Sequence, residues 1–138
     1  MGRIMAIDYG TKRTGIAVTD TLQIAANGLK TVPTIDLIPF LEAYFKEENV
    51  ETVVVGEPFD DYNKPSQSTP AIESFIKKFK KTFPDMPLER EDESYTSKQA
   101  FETMLMAGLK KKKRKDKALI DQISATLILQ KYMERKSL

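Results

Sequence analysis

The sequence predicts an α/β fold, a mixed sheet with helices on its faces, and three observations carry that prediction. Two apolar runs near the start, Ile4 to Ile7 and Ile16 to Val18, bracket a polar turn with Gly10 and Gly15 at its edges. That is the pattern of a β-hairpin. The run Glu51-Thr-Val-Val-Val-Gly56 is β-branched with little alternation, the mark of a strand covered on both faces. Beyond it, apolar residues recur at helical spacing between further strand-like runs. Strands first and then strands alternating with helices is the order such a sheet requires. At 138 residues the chain is expected to be one domain, spanning 1–138, with a real core but no room for a second.

Each element has its own local reason. After the hairpin, Leu22 to Val32 reads as a third strand. A helix is expected to begin near Thr34–Asp36, since Pro39 is tolerated in a first turn, with Leu37, Leu41, Tyr44 and Phe45 on one face through about Lys46. Glu57-Pro58 ends the fourth strand, and residues 59 to 67 lack periodicity and read as a loop. Thr69 followed by Pro70 is a helix start. Ile72, Phe75, Ile76, Phe79 and Phe83 then repeat at helical spacing and belong to the core. Met86 to Glu93 forms a fifth strand. Thr96 and Gln99 have capping-box spacing for a helix that Gly108 stops. The last helix, Ala118 to Arg135, is apolar over much of its circumference except for Asp121.

Composition narrows the chemistry. Total charge is nearly balanced, 22 Lys+Arg against 20 Asp+Glu, but it is unevenly placed. Residues 110 to 117 hold seven bases and one acid, while 89 to 93 hold four acids and one base. Such separation suits a chain with a site to build or a polyanion to meet. The sequence has neither cysteine nor histidine. Disulfides and thiolate sites are excluded, and any metal must be held by oxygen, which points to Mg2+ or Mn2+ rather than Zn2+. No secretory signal precedes the first strand, and no apolar run approaches the ~20 residues of a membrane span. The expectation is a cytoplasmic protein.

Three acids stand at comparable places. Asp8 closes the first strand and shares a face with Ile4 and Ala6, because side chains alternate along a strand. It either caps its own turn or aims a carboxylate at a cation. Asp92 and Glu93 close the fifth strand, as solvated exit charges or as ligands. Asp121 either complements the dipole of the last helix or joins the other two, since it lies along the largely apolar face of Ala125 and Ile128. Converging carboxylates would raise one another's pKa unless a cation is present, and a divalent ion suits them. The basic run Lys110, Lys111, Lys112, Lys113, Arg114, Lys115 and Lys117 leads straight into the helix of Asp121. It can bring backbone phosphates towards the acids, with Lys12 and Arg13 adding contacts from the turn after Asp8. Phosphate contacts position a strand without reading its sequence.

Four stretches carry a family resemblance. Gly2-Arg-Ile-Met-Ala-Ile-Asp-Tyr-Gly-Thr-Lys-Arg-Thr-Gly-Ile-Ala-Val-Thr-Asp20, Val53-Val-Val-Gly-Glu-Pro58, Asp92-Glu-Ser-Tyr-Thr-Ser97 and Lys117-Ala-Leu-Ile-Asp-Gln-Ile-Ser-Ala-Thr-Leu-Ile-Leu-Gln130 resemble, in order, the signatures of the YqgF/RuvX family. The resemblance covers nearly the whole chain. It implies a ribonuclease-H-like fold with a five-stranded mixed sheet. It also implies a metal-dependent nuclease that matures the 5′ end of small-subunit (16S) ribosomal RNA, using Mg2+ or Mn2+. Carried over by position, it makes Asp8, Glu93 and Asp121 the catalytic and metal-binding acids. The chain departs from the family pattern twice. Ser94 stands where an Arg usually follows the Asp-Glu pair, and Glu57 stands where the family has an apolar residue. Glu57, like Asp92, is therefore a further candidate ligand.

The alternative readings are a Holliday-junction resolvase acting on branched DNA and a non-catalytic module binding RNA or a junction. An ATP-using enzyme also opens with an Asp-x-Gly turn between strands, but it needs two such domains to enclose its nucleotide. Nucleic acid is the expected partner and a monomer or weak homodimer the expected state.

Overall fold

β1 (Arg3–Asp8) and β2 (Arg13–Thr19) form the expected hairpin, with Asp8 directly opposite Gly15. The computed structural model describes residues 2–57, 69–92, 102 and 116–137. β3 (Ala26–Pro33) adds to β2 antiparallel. A 3-10 turn, Thr34–Asp36, then leads into α1 (Leu37–Glu47). β4 (Val50–Glu57) pairs parallel with β1 on its other side, and β5 (Leu88–Asp92) pairs parallel with β4. The spatial order is β3-β2-β1-β4-β5. α2 (Thr69–Thr82) crosses between β4 and β5, and α3 (Lys117–Lys136) closes the described chain.

The five-stranded sheet separates two cores of different grain. On one side Met5, Ile7, Ile16, Val53 and Val55 meet Leu37 and Leu41 of α1 and Ile72, Phe75 and Phe79 of α2. These are large side chains, and Phe45, Phe79 and Phe83 pack edge-on or tilted among them. On the other side Ala6, Ala17 and Val54 meet Ala125, Ile128, Leu129 and Tyr132 of α3. Small residues let that helix lie close. A Cβ on Gly15 would sit 2.1 Å from the carbonyl oxygen of Asp121, and one on Gly28 would sit 2.9 Å from Cγ of Gln122. The first is helix backbone against strand backbone, with no side chain between.

The element boundaries differ from expectation where local hydrogen bonds intervene. β3 begins at Ala26 rather than Leu22, because Asp20 gathers the backbone N–H groups of Leu22, Ile24 and Ala25 into a turn. Those bonds, that of Ala25 foremost, hold its carboxyl below the usual carboxylate range. Gln23 takes the left-handed conformation (φ 58°) within the turn. β5 begins after Pro87, which has no N–H to give a ladder, although its carbonyl accepts from Val53 N. α3 starts one residue early, where Asp116 accepts from Leu119 N as a side-chain cap. Apart from Glu102, which is helical, the helix expected from Thr96 lies outside the described residues, as does the loop at 59–67.

Candidate functional site

Strand alternation and register decide which acids can meet. Asp8 has the parity of Ala6 and therefore faces α3, and its partner Gly15 supports the Asp121 backbone. Directly opposed residues of an antiparallel pair have Cα atoms about 5 Å apart. Asp8 and Asp121 thus lie on the same side of the sheet, at the carboxyl end of β1. By continuation of the parallel register that pairs Ile7 with Val55, the β4 residue beside Asp8 is Gly56, which is buried. Asp8 is therefore flanked by glycine on both neighbouring strands, and the place of a side chain on Gly15 is taken by the Asp121 backbone.

The other expected ligands are placed less favourably or fall elsewhere. Glu57 has the parity of Val53 and Val55, which pack towards α1 and α2, so alternation turns it away from the face of Asp8. Asp92 pairs with Glu57 across the ladder; its carbonyl accepts from Lys131 Nζ at 3.0 Å, and its carboxylate lies 3.9 Å from that ammonium. Glu93 and Ser94 lie outside the described residues, as does the basic run from Lys110 to Lys115. Lys117 is exposed at the first turn of α3, one turn before Asp121, and Lys12 is exposed in the β1–β2 turn. Arg13 is paired with one of the candidate acids. Its Nε donates to Asp121 Oδ2 at 2.7 Å, while its side chain stays partly open to solvent.

Oxygen donors suit Mg2+ or Mn2+, and the two carboxylates brought to one face fit such an ion by donor chemistry. Among the described residues no group of three acids meets around a common point.

Sequence reasoning missed the contacts that hold α3 in place. The acidic stretch of β5 is largely spent on them. The Tyr132 hydroxyl donates to Glu89, which also meets Lys136 Nζ at 3.3 Å. Arg135 Nε donates to the buried Glu91 at 2.8 Å. The guanidinium and ammonium groups of Arg135 and Lys136 also lie over the Tyr132 ring. At the other end, Thr31 Oγ1 donates to the Ala118 carbonyl. The acidic stretch visible in the sequence thus builds a clamp on the last helix. No single-sequence signal pairs Glu89 with Tyr132, which are 43 positions apart.

Comparison with known proteins places these features in a family. The sequence model of the RuvX family, described as Holliday junction resolvase, matches residues 2–135. A protein of Christiangramia forsetii named "Putative pre-16S rRNA nuclease" is 60% identical over 133 residues, 96% of this chain and 98% of its own. Proteins of Flavobacterium psychrophilum and Bacteroides fragilis bearing the same name are 58% and 56% identical, the first over 99% of both chains and the second over the whole of both. Among solved structures, Thermus thermophilus RuvC in complex with Holliday junction substrate superposes with a TM-score of 0.57 at 20% identity, over 99% of this chain and 98% of that one. A second RuvC structure from that organism gives 0.54 at 17% identity, over 98% and 96%. The fold is therefore ribonuclease-H-like, as the five-stranded mixed sheet already indicated. A match to the family model over almost the full length, with relatives 56–60% identical over nearly all of both chains, establishes that this chain belongs to the RuvX family.

Proposed function

We propose that the protein is a metal-dependent nuclease that hydrolyses phosphodiester bonds at the 5′ end of the small-subunit ribosomal RNA precursor. The observation that carries this reading is the backbone contact between Gly15 and Asp121, which sets Asp121 beside Asp8 on one face of the sheet. The names borne by relatives at 56–60% identity supply the substrate. Asp8 and Asp121 hold the ion, with Glu93 as the third acid. Glu57 and Asp92 are the weaker candidates, the one by its parity and the other by its tie to Lys131. A divalent cation there would lower the pKa of bound water and steady the leaving oxygen. The chain's own residues fix the geometry. Asp8 is set by the β1 ladder and Asp121 by the packing of α3. Lys12, Lys117 and the run 110–115 draw in the phosphate backbone. Water gives a proton to solvent as its oxygen bonds to phosphorus, the bond from phosphorus to the 3′ oxygen breaks, and that oxygen takes up a proton from solvent. No helix among the described residues is long and apolar enough to cross a membrane, and the setting proposed is the cytoplasm.

The test is cleavage of an end-labelled precursor leader in Mg2+ or Mn2+, with Asp8→Asn and chelator as controls. Each control should reduce the rate roughly a thousandfold, as the loss of several kcal/mol of transition-state stabilisation implies. Activity surviving both would sink the reading. The family description and the likeness to RuvC favour a second reading, cleavage of a four-way DNA junction. A junction assayed in parallel separates the two.

A further inference from the structure

The pair between Arg13 and Asp121 has three features of a contact made to be exchanged. It runs through Nε alone at 2.7 Å, rather than as the two-point fork that makes guanidinium–carboxylate pairs strong. Both side chains are partly open to solvent, Arg13 at 41% and Asp121 at 22%, so the pair contributes little to stability. The Arg13 backbone is held independently at the start of β2, opposite Pro33, while Thr34 N donates to the Lys12 carbonyl beside it. The side chain can therefore leave without unravelling the strand. Arg13 also has the parity of Gly15 and so lies on the face that carries Asp8 and Asp121.

From this we infer that Arg13 is a positioning residue that couples ion binding to nucleic-acid binding. Without a divalent ion, its guanidinium supplies the counter-charge of Asp121. A divalent cation entering the same carboxylate repels a guanidinium a few ångströms away, and the released group is then directed at a substrate phosphate, the other oxyanion that its planar fork of donors recognises well. Ion and substrate each favour the same rearrangement, so each strengthens the binding of the other, reciprocally. This inference rests on the metal-dependent reading above.

The experiment measures binding rather than turnover, using the full chain, Arg13→Gln and Arg13→Lys. Mn2+ is titrated calorimetrically with and without RNA, and labelled leader RNA is titrated by anisotropy with Ca2+ as the divalent ion. In the absence of RNA, Arg13→Gln should bind Mn2+ about threefold to fivefold more tightly than the parent, the worth of an exposed ion pair removed. It should bind RNA more weakly, and the tightening of Mn2+ by RNA should shrink towards none. Arg13→Lys, which keeps the charge, should stay near the parent in ion affinity. Weaker Mn2+ binding by Arg13→Gln would overturn the inference and make Arg13 a partner that orients Asp121 for the ion. Unchanged Mn2+ binding with unchanged coupling would overturn it too. A parent protein that binds no Mn2+ would remove the metal reading and this inference together, whereas a parent isotherm unmoved by Arg13→Gln would remove this inference alone.

Discussion

Gly15 is the residue on which the site geometry turns. An added Cβ would stand 2.1 Å from the Asp121 carbonyl oxygen and 2.5 Å from its carbon, and backbone cannot step aside as a flexible side-chain end can. Gly15→Ala must therefore lift the first turns of α3 from β2. The expected cost is about 1–3 kcal/mol, the usual range for overpacking, measured as a lower denaturant midpoint. Activity should fall further than stability does, because Asp121 moves relative to Asp8. The sequence announced Gly15 only as a turn residue of a hairpin. Its packing role was hidden, because the atom it makes room for lies 106 positions away.

At the scale of the element, α3 was legible in its length, its apolar face and the misfit of Asp121, and these came from periodicity. Its anchorage was not legible, because Glu89–Tyr132 and Glu91–Arg135 depend on how strands five and four align. The β3 boundary failed for a related reason. Asp20 competes for three backbone N–H groups, and strand propensity loses to that local bonding. One position in α3 is less than optimal: Ser124 is fully buried, and its hydroxyl has no hydrogen-bond partner among the described residues. Ser124→Ala removes a desolvated polar atom and favours the helix. We expect a gain of about 1 kcal/mol, or roughly 3 °C in Tm, read by thermal denaturation. A loss of stability would mean that the hydroxyl has a partner.

Over the whole molecule, the clamp between α3 and β5 makes stability depend on pH at both extremes. The Tyr132 hydroxyl bond, helped by Lys136, holds the Glu89 carboxyl below its ordinary value. That contribution is complete above the usual glutamate range and is lost as pH falls through the lowered value. Burial, then the bond to Glu89, pushes the Tyr132 phenol up to about 12. Its contribution is complete below about pH 10 and is lost as pH rises through the raised value. Denaturant midpoints taken near pH 3.5, 7 and 11.5 should fall at both ends in the parent and fall less steeply in Tyr132→Phe. Identical profiles would show that the clamp is not what titrates.

The direct seating of α3 on β2 has a mechanical consequence. Where two main chains touch, the gap between them is set by atomic radii and has no rotamer to adjust. Repacking either core therefore offers little means of widening or narrowing the space between the acids of β1 and α3. A preference for a larger or smaller cation would have to be tuned by the length of the acids themselves, one methylene at a time.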